Sequence, residues 1–415
     1  MNPRDIYRII RRKIRQAKYS WFADLAVSGS KFASYLLARK GLYLCDVRTI
    51  SDAAEKTFPL LEASPQTRIP PAFSIDLSPS ETSIHPPINA YLLTDVIASG
   101  KTSVICSKGT LLVPSALKEQ REILDIKPGV IGYFNPRYAL RYSQTYDEHE
   151  SAILIGGNGA SNWYHYVLEV APKAFLASLL PSHFKNFPIL VPTQAKSAGP
   201  FLEILEALLP DRRILDSQHD SVRVQNLITF DEVSHGPFNL DKDLWPLTKN
   251  YSHHEDALRL VFDKLRATIL PATGPLLRTR RIFIIRPNIR RNYNQTELFK
   301  IAQRYNFEAV SPESHTLSEQ AQIFAEASHI VGASGAAWTN MIFASEPLKA
   351  LTWILPQYSQ FCSFSMLAHF LGHNLRYITA EPSKKIRSTH DAFSASYRVS
   401  PIEFEAALNQ LIGET

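Results

Sequence analysis

The chain has 415 residues, 45% hydrophobic and 20% charged, which is the composition of a folded chain with length for two or three domains and excludes disordered, collagenous and coiled-coil classes. Its net charge of +6 is concentrated at one end: residues 1–18 hold seven bases (Arg4, Arg8, Arg11, Arg12, Lys13, Arg15, Lys18) against Asp5 alone, leaving 38 bases and 38 acids elsewhere. A neutral body argues against a broad nucleic-acid surface, and no nucleic-acid partner is expected.

In residues 1–20, Ile6, Ile9, Ile10 and Ile14 fall at helical spacing among the bases. A helix there would be apolar on one side and cationic on the other, which suits peripheral contact with an anionic membrane, with a solvated tail or a helix packed on its own domain as the plain alternatives. No apolar run of about 18 residues occurs and the start lacks a signal-peptide core, so the chain is expected to be cytoplasmic, with any membrane contact peripheral and at the inner face. Cys45, Cys106 and Cys362 are too far apart to suggest a disulfide framework or a CxxC metal site.

Between residues 21 and 150, prolines at 70–71 and 86–87 separate short apolar runs such as 90–93 and 103–106, predicting short strands and long loops. From 146 the pattern becomes alternating: strands at 152–155, 188–191 and 227–230, helices at 162–180 and 201–209. A polar passage and a helix at 256–269 lead to the linker-like 271–275. The alternation then restarts with strands at 281–285, 308–310, 329–331 and 350–354 and helices at 295–305, 317–327 and 336–344. An α/β fold follows, with an N-terminal unit over 21–270, a C-terminal unit over 276–400 and a terminal helix over 401–415. The loops after 155, 285, 310 and 331 are where such sheets bind ligands.

Five of the sixteen glycines lie in two of those loops: Gly156, Gly157 and Gly159 around Asn158, and Gly332 and Gly335. Both lead into helices, whose free N–H groups suit phosphate, although a tight strand-to-helix turn explains either loop alone. The second loop, with Ser334, Ala336, Thr339 and Asn340, suits a diphosphate. Arg286, Arg290 and Arg291 follow a neighbouring strand, and their forked donors match phosphate oxygens. Glu319 closes a capping box with Thr316 or takes ribose hydroxyls, and Asn294 to Glu297 resembles a second box. Asn162, His165 and Glu169 share one helix face beside Tyr164. Either His165 or Glu169 could deprotonate an acceptor hydroxyl; a histidine satisfied by Glu169 is the plain alternative. Asp241 and Asp243 form a DxD, and His253 and His254 read as exposed, but neither has the context of a metal site, and none is expected. Nothing argues for a covalent nucleophile.

With Asn162-Trp163-Tyr164-His165, Arg286 with Arg290, Arg291 and Asn294, the helix start Leu317-Ser318-Glu319-Gln320, and the 332–340 loop in view, residues 150–356 resemble glycosyltransferase family 61, which includes capsular polysaccharide proteins. The sequence departs from the family's usual residues at Ser334, Gln295 and Tyr166. The resemblance implies a GT-B-like architecture of two Rossmann-like domains facing a cleft, behind an irregular N-terminal region. It implies inversion at the anomeric carbon without cofactor or essential metal. The donor would be a nucleotide-sugar, expected to be UDP-linked, held by Arg286, Arg290, Arg291, Asn294, Glu319, Gln320, Gly332, Ser334, Gly335, Ala336, Thr339 and Asn340. The acceptor would be a saccharide or lipid-linked saccharide of a bacterial capsule or envelope polysaccharide, met by Gly157, Asn158, Asn162 and Tyr164 with Glu169 and His165 catalytic. Two rivals are a sugar-nucleotide epimerase and a non-catalytic saccharide- or nucleotide-binding subunit of a polysaccharide assembly complex.

Overall fold

A computed structural model describes residues 42–73, 80–103, 105–114, 130–134, 137–141, 146–197, 199–219, 221–237, 245–270, 277–286 and 291–413. The basic segment 1–20, the linker 271–275, the Asp241/Asp243 pair and Arg290 lie outside them.

The strands in chain order are β1 (Leu42–Thr49), β2 (Lys56–Leu61), β3 (Ser64–Arg68), β4 (Glu81–His85), β5 (Ile88–Ala98), β6 (Ile105–Ser107), β7 (Thr110–Val113), β8 (Val130–Phe134), β9 (Arg137–Arg141), β10 (Asp147–Leu154), β11 (Ile189–Leu190) and β12 (Val222–Phe230). All but the β3–β4 hairpin join one sheet in the order β11-β10-β12-β5-β6-β7-β1-β9-β8, with β2 also on β5. β11, β10 and β12 run parallel to one another, as the alternation from 146 predicts; β12 pairs antiparallel with β5, and β1 pairs parallel with β7, so the sheet is a mixed one. The apolar run at 90–93 proves to be part of the 11-residue β5, whose pattern of burial leaves neither face open, as a central strand requires.

The helix expected at 162–180 is in three pieces: α1 (Trp163–His165), a π-turn over Tyr166–Val170, and α2 (Pro172–Ser178). Pro172 has no N–H to give to the carbonyl four residues back, and its ring crowds that carbonyl. The helix widens just before it, with Ala171 N–H donating to Tyr166 O at 2.7 Å across five residues. Sequence periodicity does not register this change of pitch. Helices α3 (Pro200–Leu208) and α4 (Glu255–Ile269) complete the unit, separated by the short pair β13 (Ser234–His235) and β14 (Ser252–His253).

The second unit has β15 (Arg280–Ile284), β16 (Glu308–Val310), β17 (Ala327–Ala333), β18 (Lys349–Ile354) and β19 (Asn374–Thr379), in the order β16-β15-β17-β18-β19 and parallel throughout. β19 is a fifth strand beyond the four predicted. Helices α5 (Gln295–Gln303), α6 (Leu317–Ala325), α7 (Ser363–Phe370) and α8 (Pro401–Gly413) cover the sheet. The helix expected at 336–344 is a 3-10 helix, Ala336–Phe343.

One hydrophobic core spans both units, running from Ile153, Tyr166 and Ile228 to Phe283, Val331 and Trp353. Polar ties cross the same seam: Arg266 Nη1 donates to Ile342 O at 2.8 Å, Ser365 Oγ to Ile69 O at 2.6 Å, and Tyr377 N–H to Ala72 O at 3.0 Å. Close packing of this kind holds the carboxyl ends of the two sheets in a fixed relation. No helix among the described residues is long and apolar enough to cross a membrane.

Candidate active site

The loop after β10 is shaped by close approaches that only glycine permits. A Cβ on Gly156 would stand 2.9 Å from the Gly100 backbone, and one on Gly159, at φ +67°, would stand 2.8 Å from the His165 ring. Lys173, 2% exposed, donates to Gly156 O at 2.8 Å and lies 3.1 Å from Glu232. Thr102 Oγ1 donates to Asn158 Oδ1 at 3.1 Å. Gly157 faces Val170, Ser103 and Lys173. Asn162 caps α1, accepting from Tyr164 N–H at 3.0 Å, which is a structural role for its side chain.

His165 and Glu169 are both buried, and His165 Nδ1 lies 2.8 Å from Glu169 Oε1. Gly236 N–H donates to the same oxygen at 2.8 Å. With a carboxylate facing Nδ1, the pairing assigns the ring proton to that nitrogen and leaves Nε2 as the basic one. His235, half-buried beside Gly236, has its pKa lowered by burial, with Glu169 and Glu232 opposing the shift. Burial also raises the Tyr164 phenol, so it stays protonated. Tyr164 stands edge-on between His165 (5.2 Å between centroids) and Phe364 (5.4 Å). Sequence reading missed Lys173, Glu232, His235 and Gly236. A lysine in the apolar stretch 167–177 was the available signal.

At the carboxyl ends of β17, β18 and β19 an open pocket is lined by Arg291, Ser334, Trp353, Tyr358, Phe361 and Tyr397, among others. Arg291 has φ +53°. Arg286 reaches over Gly335 and its Nη2 donates to Ser334 O; its Nη1 is buried with no hydrogen-bond partner among the described residues. A Cβ on Gly335 would be 2.6 Å from Arg286 Nη2. The Gln295 amide clasps the arginine backbone, accepting from Arg286 N–H at 2.8 Å and donating to Arg286 O at 3.2 Å. A buried guanidinium N–H without an acceptor carries a desolvation cost that an anionic ligand would remove. Aromatic contacts of 5.4 to 5.8 Å run from Tyr164 through Phe364 and Phe361 to Tyr358, joining the histidine pair to the pocket wall.

Several expected donor contacts have other employment. Glu319 closes the capping box with Thr316, accepting from its N–H at 2.8 Å and its hydroxyl at 2.9 Å, and these bonds lower its pKa. Asn294 does not cap α5; it exchanges hydrogen bonds of 3.0 Å with the Val399 backbone. Gln320 and Asn340 are buried and bonded to one another. Gly332 serves sheet packing, since a Cβ there would be 2.8 Å from Ile284 Cβ. Thr339 is fully buried, and Ala336 opens the 3-10 helix. Arg291 and Ser334 line the pocket, and Arg286 and Gly335 adjoin it through Ser334. His253 and His254, read as exposed, are 1% exposed: His254 caps α4 through Nδ1 and lies 2.8 Å from Glu62 O. Among the described residues, no three His, Cys, Asp or Glu side chains group as metal ligands.

Residues 163–351 match the family model described as Glycosyltransferase 61. That interval contains His165, Glu169, Arg286, Arg291 and the 332–340 loop. No curated protein matches the chain.

Proposed function

Since the segment 163–351 belongs to glycosyltransferase family 61, we propose that the chain is an inverting, metal-independent glycosyltransferase. It moves a sugar from a nucleotide diphosphate, in our reading UDP, to a hydroxyl of a saccharide or lipid-linked saccharide acceptor in the making of a capsular or envelope polysaccharide. The observation that carries this reading is Arg286, anchored through Nη2 on Ser334 O while Nη1 is buried without a partner among the described residues.

The departing diphosphate gains negative charge as the sugar leaves. Arg286 and Arg291 at the pocket edge would meet that charge where a divalent cation would otherwise be needed. His165 would take the acceptor proton at Nε2, while Glu169, held in place by Gly236 N–H, orients the ring and stabilises the imidazolium that forms. Attack from the face opposite the diphosphate breaks one bond and makes one, inverting the anomeric carbon. His165 is the base in this account and Glu169 its positioning partner.

The test incubates the purified chain with nucleotide-sugars and a panel of saccharide acceptors in EDTA, and reads the anomeric configuration of the product by NMR. Inverted product without metal is expected. Retained configuration, or interconversion of free nucleotide-sugar with no acceptor present, would contradict the proposal.

A further inference from the structure

Asn340 and Gln320 fall among the residues whose sequence suggests donor contact, yet their side chains are spent elsewhere. Trp163 Nε1 donates to Asn340 Oδ1 at 2.7 Å, Asn340 Nδ2 donates to Gln320 Oε1 at 2.9 Å, and Gln320 Nε2 donates to His315 O at 2.9 Å. Asn340 is 0% and Gln320 7% exposed. The relay runs from the start of the helix that bears His165, through the 3-10 helix that follows Gly335, to the loop before α6.

Its polarity is fixed at both ends. An indole N–H can only donate and a backbone carbonyl can only accept. Gln320 must therefore turn its amide nitrogen to His315 O and its oxygen to Asn340, and Asn340 must give its nitrogen to Gln320 and its oxygen to Trp163. Only one arrangement satisfies every buried atom. A polar chain of this kind costs desolvation that apolar packing would avoid, so what it contributes is a unique register.

One end of the relay and its middle sit against the chemistry. Trp163 is two residues from His165 and is clamped by Phe201 (5.3 Å) and by Tyr166 of the π-turn (6.5 Å, 19° from parallel). On the far side, Trp338 Nε1 donates to Ala333 O at 3.0 Å and ties the same 3-10 helix to the loop that holds Arg286. We infer that Asn340 and Gln320 are positioning residues, which set the placement of His165 relative to the Arg286 pocket without touching the donor. This inference rests on the transferase reading above.

The experiment compares the full chain with Asn340→Asp, Gln320→Glu and the double variant Asn340→Asp/Gln320→Lys, measuring kcat for sugar transfer and Kd for UDP, with melting temperature as the check on folding. Either single variant places two acceptors face to face, at 340–320 or at 320–315. In the double variant the lysine donates to both neighbours and every buried atom again has a partner. The expected result is a kcat at least tenfold lower in each single variant, UDP Kd within twofold of wild type, and recovery of most of kcat in the double variant. A tenfold weaker UDP Kd would make these residues donor ligands and overturn the inference. So would a lowered melting temperature with kcat unchanged in folded protein. Absence of transfer by the wild-type chain is a separate outcome that defeats the transferase reading and this inference with it.

Discussion

Gly335 and Arg286 occupy one space: the Cβ that any other residue would add at 335 would stand 2.6 Å from Arg286 Nη2. The backbone at Gly335 is extended, with φ 177°, so it tolerates a side chain, and the clash is with the guanidinium alone. Gly335→Ala is thus expected to leave stability within about 0.5 kcal/mol of wild type, as for surface substitutions, because a flexible side-chain end can move aside. The displaced guanidinium should weaken UDP at least tenfold, about 1.4 kcal/mol. Calorimetric titration beside a melting curve checks both halves.

Gly332, in the same loop, should behave in the opposite way. An added Cβ meets Ile284 Cβ at 2.8 Å and Ile284 O at 3.2 Å, inside the β15–β17 ladder where neither strand can yield. Gly332→Ala is expected to cost about 1–3 kcal/mol by overpacking, read by urea denaturation, with UDP affinity of the folded fraction little changed.

Removing the carboxylate from the histidine pair isolates the base. Glu169→Gln keeps the size of the side chain but loses the charge that fixes His165 and stabilises its protonated form. The expected loss in kcat is about 10²–10⁴-fold, the range for acid–base assistance, with UDP Kd within twofold. An unchanged kcat would remove His165 and Glu169 from the mechanism.

How much of this was legible in the sequence depends on the range of the interaction. Four of the five strands of the second sheet announce themselves as apolar runs between helices, because β15, β17 and β18 end in residues buried on both faces; the edge strand β19 did not. The glycine loops and Arg286 lie at strand ends, where local reading suffices. The clasp of Gln295 on Arg286 spans nine residues and remained hidden, since its sequence surroundings read as a cap. The Trp163–Asn340 bond joins residues 177 apart, and no spacing rule reaches that far. The reading of His253 and His254 as exposed failed because the polar passage around them is folded under the β3–β4 hairpin, where Gln66 Oε1 accepts from His253 N–H at 3.0 Å.

His253 and His85 set an acid limit on stability. Burial lowers His253 to about 3 and His85 to about 4, with His85 adding to the first shift and His254 and Arg68 to the second. Both rings are neutral in the folded chain at pH 7. Below the ordinary value of 6.5 the unfolded chain takes up protons that the folded chain refuses, so stability is intact above pH 6.5 and falls as pH drops towards about 4 and then 3. Each ring removes up to about 1.4 kcal/mol per pH unit in that window. Melting temperature should fall between pH 7 and pH 5, and more gently in His253→Asn; an identical slope in that variant would assign the acid sensitivity elsewhere.

The proposed function puts arginine in the place of a metal ion at the diphosphate. Titration of UDP into the wild-type chain and into Arg286→Ala, each in EDTA and in excess magnesium, tests it most directly. The expected result is wild-type affinity unaffected by EDTA and at least tenfold weaker binding in Arg286→Ala. UDP binding that disappears in EDTA, or that is equal in Arg286→Ala and wild type, would contradict it.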